Sequence, residues 1–138
     1  MKDLITSIAS MLILMMFVMQ FTANQITYTK IAAAENQVRQ FCLISENQGI
    51  IKSEGIIQLK EKLAGILDCE LSQIAVCLSG GRADLRNTGE EAVSSDIEIT
   101  MPVYGVIGAA GVLGIGAEDN VGIHKSAGTI VLLPEPEE

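Results

Sequence analysis

From Leu4 to Phe21 the chain runs eighteen residues without a charge, a proline or a glycine, and Thr6, Ser7, Ser10 and Gln20 are its polar interruptions. Coiled as a helix, such a run reaches about 27 Å, close to the hydrocarbon thickness of a bilayer. The pattern then turns one-sided. Tyr28, Ile31, Val38 and Cys42 recur at helical steps, with Ala34 and Phe41 beside them, as on a helix that buries one face. Ala32, Ala33, Ala34, Glu35, Gln37 and Arg39 favour helix by propensity. No proline or glycine occurs before Gly49. One nearly continuous helix is therefore predicted from about Asp3 to Glu46. Residues 1–22 form a transmembrane anchor and residues 23–48 an amphipathic stalk continuing it. Gly49, free to take a left-handed conformation, ends the helix.

Residues 49–138 read as one small α+β unit. Ser53 is placed to cap a second helix reaching about Leu67. Its apolar stripe is Ile56, Leu59, Leu63, Ile66 and Leu67, opposite Lys60, Glu61 and Lys62. That stripe must pack on the stalk, on the following sheet, or on both. Gln73–Leu78 reads as a strand stopped by Gly80-Gly81, and Arg82–Ser95 as a polar loop. Asp96–Met101 alternates at period two and runs on through Pro102 into Val103-Tyr104. Val121–Ile123 and Thr129–Leu133 are further strands, the last stopped by Pro134. Short connections between sequential strands predict a small C-terminal antiparallel sheet.

A cleaved leader and a buried core helix compete with the anchor for the first twenty residues. A leader has a basic start, a short apolar core and a small-x-small site close behind it. Here Lys2 stands beside Asp3, and Ala32-Ala33-Ala34 lies more than ten residues beyond the apolar run. An uncleaved single-pass anchor in the cell membrane fits better. The short N-terminal tail stays inside, and the C-terminal domain is extracytoplasmic.

The formal net charge is −8, with acids concentrated in Glu90–Glu98 and in the tail Pro134–Glu138. A nucleic-acid partner needs clustered Lys and Arg, so none is expected. Tryptophan is absent and aromatic residues make up 4% of the chain, which disfavours a ring-lined pocket for a small-molecule substrate. Cys42, Cys69 and Cys77 form no CxxC or Cys/His cluster, so neither a metal site nor another cofactor is expected. On an oxidising side Cys69 and Cys77 could form a disulfide across a helix-to-strand connection; free, buried thiols are the favoured reading. The lone His124 has no catalytic partner in the sequence, and an enzyme is not expected.

Glycine recurs at 105, 108, 111 and 114 in Gly105–Gly116. A phosphate loop would need a following helix and usually a lysine. The residues that follow are Ala117-Glu-Asp-Asn. An apolar loop or bulged hairpin against lipid or a neighbouring subunit is the better reading. Glu35, between Ile31 and Val38, is either a rim residue or a partner for a positive group on another subunit.

Tyr28-Thr-Lys-Ile, Ala34-Glu-Asn-Gln-Val-Arg-Gln-Phe41 and Glu46-Asn-Gln-Gly49 together resemble the juxtamembrane stretch of TadE-like proteins. These are minor pseudopilins, or pilus-assembly proteins, of tight-adherence type systems in Gram-positive bacteria. The likeness covers the whole chain in layout and about Tyr28–Gly49 in residue pattern. The apolar run has no Glu where type IV-like prepilins carry one, so the likeness does not extend to prepilin processing. It implies a non-enzymatic membrane subunit of a pilus or secretion apparatus. Its partners would be lipid and other pilin-like subunits. Thr6 and Ser10 offer a small-xxx-small step for helix approach. Tyr28, Ile31, Glu35, Val38 and Cys42 would continue that helix-packing face outside the lipid. The rival reading is a membrane-tethered module that recognises a soluble partner through its sheet.

Overall fold

A computed structural model describes residues 1–49, 51–79 and 93–132. The Gly80-Gly81 stop, residues 82–92 of the expected loop, and the acidic tail from Pro134 lie outside them. The fold is α+β, as the patterns predict. Helix α1 spans Lys2–Gln48 and α2 spans Ser53–Leu67. A single 3₁₀ turn, Leu71–Gln73, leads into β1 (Ala75–Ser79), followed by β2 (Val93–Tyr104) and β3 (Val121–Leu132). The three strands form one antiparallel sheet in the order β1-β2-β3.

Local chemistry sets the boundaries. Gly49 closes α1 at φ 66°, and its N–H donates to the Glu46 carbonyl at 3.2 Å. Lys52, not Ser53, holds the cap position of α2, with extended backbone and no side-chain cap bond. The strand expected from Gln73 begins at Ala75. Glu70 and Gln73 instead bond each other's backbone reciprocally and wind the intervening residues into the 3₁₀ turn.

Two expectations for the sheet are corrected. Val93–Ser95, read as loop, belong to β2, where Ser95 faces inward and is buried. The segments 121–123 and 129–133, read as separate strands, are one continuous strand to Leu132. Within the intervening His124–Gly128, Ser126 and Gly128 are small where α1 lies close over the sheet. Ser126 and Gly128 lie on the helix side, opposite Ile99 and Ile97 of β2. Lys125 points the other way and pairs with Glu98 at 3.0 Å.

The core lies between α1, α2 and the inner sheet face. Ala34, Val38 and Cys42 of α1 meet Leu59, Leu63 and Leu67 of α2 and Ile97, Ile99, Met101, Val103 and Ile130 of the sheet. Ile31 and Phe41 pack against this cluster. The stalk is thus a wall of the small α+β domain, not a support beneath it. Of the predicted α2 stripe, Leu59, Leu63 and Leu67 are buried, Ile56 packs at the edge, and Ile66 stays half-exposed beside α1.

Gly128 makes the close approach of helix and sheet feasible. A Cβ built there would lie 2.8 Å from Cys42 Sγ and 3.3 Å from Ile97 Cγ2. Gly128→Ala is therefore expected to destabilise the domain by about 1–3 kcal/mol, the usual range for overpacking. Gly65, exposed within α2, has nothing within 4 Å of its built Cβ. Gly65→Ala should stabilise by about 0.5–1 kcal/mol through helix propensity. Urea midpoints of the detergent-solubilised chain should move in opposite directions for the two variants.

Candidate functional site: the anchor, the stalk face and the glycine loop

The first half of α1 is long and apolar enough to cross a membrane, and none of its most apolar eighteen-residue window is buried by the chain. This fits a single-pass membrane protein. Its hydroxyls bond back to the helix. Thr6 Oγ1 donates to the Lys2 carbonyl at 3.0 Å, Ser10 Oγ to Thr6 at 2.7 Å, and Thr22 Oγ1 to Val18 at 2.9 Å. A helix in hydrocarbon must satisfy such groups internally. Thr6 and Ser10 are both exposed.

The rest of the predicted packing face divides. Tyr28 is 74% exposed. Ile31 is half-buried against the chain's own core. Val38 and Cys42, expected to meet a neighbouring subunit, lie inside that core. This is a correction: the one-sided spacing is real, but the small sheet is what it packs on. Glu35, weighed as an intersubunit partner, reaches His124 of β3 within the same chain, with Oε1 3.1 Å from Nε2. The pair bridges stalk and sheet at the rim of the core. Further along, Glu46 Oε1 accepts the Val131 N–H at 3.1 Å, and Lys30 Nζ meets Asp68 Oδ2 at 2.7 Å.

All three cysteines are free thiols, so the Cys69–Cys77 bridge is not formed. Cys69 packs against the core, whereas Cys77 lies on the outer sheet face opposite Glu98. Burial pushes the Cys42 thiol above its ordinary pKa, with Glu46 adding to the shift; burial, with Asp68 adding, does the same at Cys69. Maleimide should therefore modify Cys77 first and Cys42 last, read as timed mass shifts by peptide mapping. Both shifted thiols hold their protons more tightly when folded. Their contribution to stability is complete below the ordinary thiol range and is lost as pH rises through the raised folded values. The protein should accordingly be easier to unfold under alkaline than under neutral conditions.

The glycine-rich segment forms a tight knot of turns between β2 and β3, seated on α1. A Cβ on Gly108 would overlap the Met19 carbonyl and lie 2.9 Å from Ala23 Cβ. No side chain fits there, because the obstacle is helix backbone. Two amides clamp the knot. Gln20 Nε2 donates to the Val106 carbonyl at 3.0 Å, and Gln20 Oε1 accepts the Gly108 N–H at 3.0 Å. From the other side, Asn120 accepts the Ile107 N–H at 2.7 Å and donates to the Ile107 carbonyl at 2.9 Å.

Sequence alone gives Gln20, Gly108 and Asn120 no common role, since their pairing appears only in the folded structure. The one available signal was Gln20, a residue with a full amide at the edge of an otherwise apolar run. Among the described residues, no group of three or more His, Cys, Asp or Glu side chains is placed to hold a metal ion. Comparison of the chain with family models, with curated proteins and with solved structures finds no match.

Proposed function

We propose that this chain is a non-enzymatic, single-pass membrane subunit of a TadE-like pilus or secretion apparatus. It sits in the cell membrane with its ectodomain outside, and it assembles through its N-terminal helix. The observation that carries this reading is α1 itself. One helix runs from Lys2 to Gln48, largely exposed along its apolar half, where only the glycine knot sits on it, and packed against a small domain along its polar half. The juxtamembrane resemblance between Tyr28 and Gly49 supports the same layout.

The contact surface needs redrawing. Ile31, Val38 and Cys42 face the chain's own domain, so neighbouring helices must use the opposite side. There Leu14, Val18 and Ile26 are all more than half exposed; Thr6, Ser10 and Tyr28 lie nearer the domain side of the helix but are exposed as well.

Site-specific photo-crosslinkers at positions 14, 18 and 26, in membranes of the native host, should capture other pilin-like subunits. A crosslinker at position 123, on the outer sheet face, should capture far less. Capture of a soluble protein from position 123, with nothing from the helix, would replace the subunit by the tethered binding module.

A further inference from the structure

We propose that the glycine-rich knot, Gly105–Gly116, is embedded in the bilayer as a wedge beside the anchor, with its apolar side chains toward lipid and its backbone turned toward α1 and its own turns. The proposal rests on the reading of Leu4–Phe21 as a membrane span. Its ligand is the acyl-chain region of the ectodomain-side leaflet.

Position is the first argument. The knot does not stop where the apolar run ends. Ile107, Ala109 and Leu113 share one apolar cleft with Ile13, Met16 and Phe17 of α1. Ile13 lies eight residues inside Phe21, or about 12 Å along a helix axis. If Leu4–Phe21 fills the hydrocarbon, residues that share a cleft with Ile13 stand within it.

Chemistry agrees with that depth. No charge occurs from Gly105 to Ala117, and Glu118 and Asp119 follow at once. Val112 is 64% exposed and Leu113 58% exposed, with Ile107 beside them. An apolar patch of this kind, contiguous with a bare membrane helix, is costly in water. Continuity with the anchor makes lipid its occupant.

The third argument is the backbone. Non-helical backbone survives at membrane depth only where its polar groups find partners inside the protein. Here the Gly105 N–H donates to the Asn120 carbonyl at 2.9 Å. The Ile107 and Gly108 amides go to the Asn120 and Gln20 side chains. Those of Ala110, Val112, Leu113 and Ile115 donate to carbonyls within the knot at 2.9–3.3 Å. Gln20 is thus a polar residue whose amide is needed because it lies at the membrane. It serves the knot rather than water.

Tryptophan is absent from the chain, so a single introduced indole reports on one place. Full-length Val112→Trp, Phe17→Trp and Ile57→Trp would each be reconstituted into phosphatidylcholine/phosphatidylglycerol vesicles containing brominated acyl chains. Phe17 marks the anchor, and Ile57 is an exposed position on α2. Emission from Val112→Trp should be blue-shifted and quenched to an extent comparable with Phe17→Trp, while Ile57→Trp stays unquenched. Adding Gly108→Val, which cannot seat against Met19, should reduce quenching at position 112. Protease resistance of the ectodomain reports separately on folding.

Quenching of Phe17→Trp without quenching of Val112→Trp overturns the wedge and leaves the anchor standing. Absence of quenching at both positions overturns the anchor and the wedge together. A blue-shifted, unquenched Val112→Trp that appears only at high protein-to-lipid ratio assigns the patch to a second copy, and that too overturns the proposal.

Discussion

A Val38→Asp chain should enter the membrane normally and yet carry an unfolded ectodomain. Val38 is 2% exposed, packed among α2 and the inner sheet face. An ionised carboxylate there has no partner to replace its lost hydration, at a cost of about 3–5 kcal/mol. Domains are commonly stable by only about 5–15 kcal/mol in total, and this one is small. Limited proteolysis of membranes should degrade the variant's ectodomain while carbonate extraction leaves its anchor in the pellet. Tyr28→Asp, on an exposed position of the same helix, should leave the protease pattern unchanged. Loss of assembly with a folded, protease-resistant Val38→Asp ectodomain would return this face to an intermolecular role.

Leu63→Ala should be nearly as damaging, for a different reason. Leu63 is 0% exposed and lies at the centre of the α2 stripe. Its removal costs about 2–5 kcal/mol in transfer and cavity terms. The buried members of the cluster are aliphatic, Met or Cys, with no aromatic ring among them, so no large ring can swing in to fill the gap. Ile66, three residues on, is half-exposed and outside the cluster. Ile66→Ala should cost under about 1.5 kcal/mol, as its side chain already meets water. Urea titration of the detergent-solubilised protein, followed by circular dichroism, should separate the two midpoints. Equal midpoints would mean that α2 is packed differently.

The elements legible in advance were those whose signal is periodic. Helical spacing from Tyr28 to Cys42, the α2 stripe and the alternation at Asp96–Met101 each follow from burying one face of a regular element. Periodicity says that a face is buried but not against what. From spacing alone, Val38 and Cys42 can meet another subunit as readily as the chain's own sheet; in the structure they lie in the core between α1, α2 and the sheet. Periodicity also says nothing where burial is achieved by shrinking side chains. Ser126 and Gly128 look like a break in a strand, although they are the positions that let α1 approach it.

The polar contacts were illegible for a simpler reason. Gln20 meets Gly108 across 88 positions of sequence, and Glu35 meets His124 across 89. The pairings exist only once the sheet has folded back along the helix. Gln20 read alone is a blemish in an apolar run. Paired with Gly108, it is the clamp that holds a loop at the level of the anchor.

The uninterrupted course of α1 has a mechanical corollary. From Phe21 to Gln48 the helix extends about 40 Å, with no proline or glycine to act as a hinge. A tilt of about 20°, ordinary for a membrane span adjusting to bilayer thickness, swings the far end by roughly 14 Å. On the single-pass reading, a change in the thickness of the surrounding bilayer would be converted into lateral displacement of the domain, with the rod as lever.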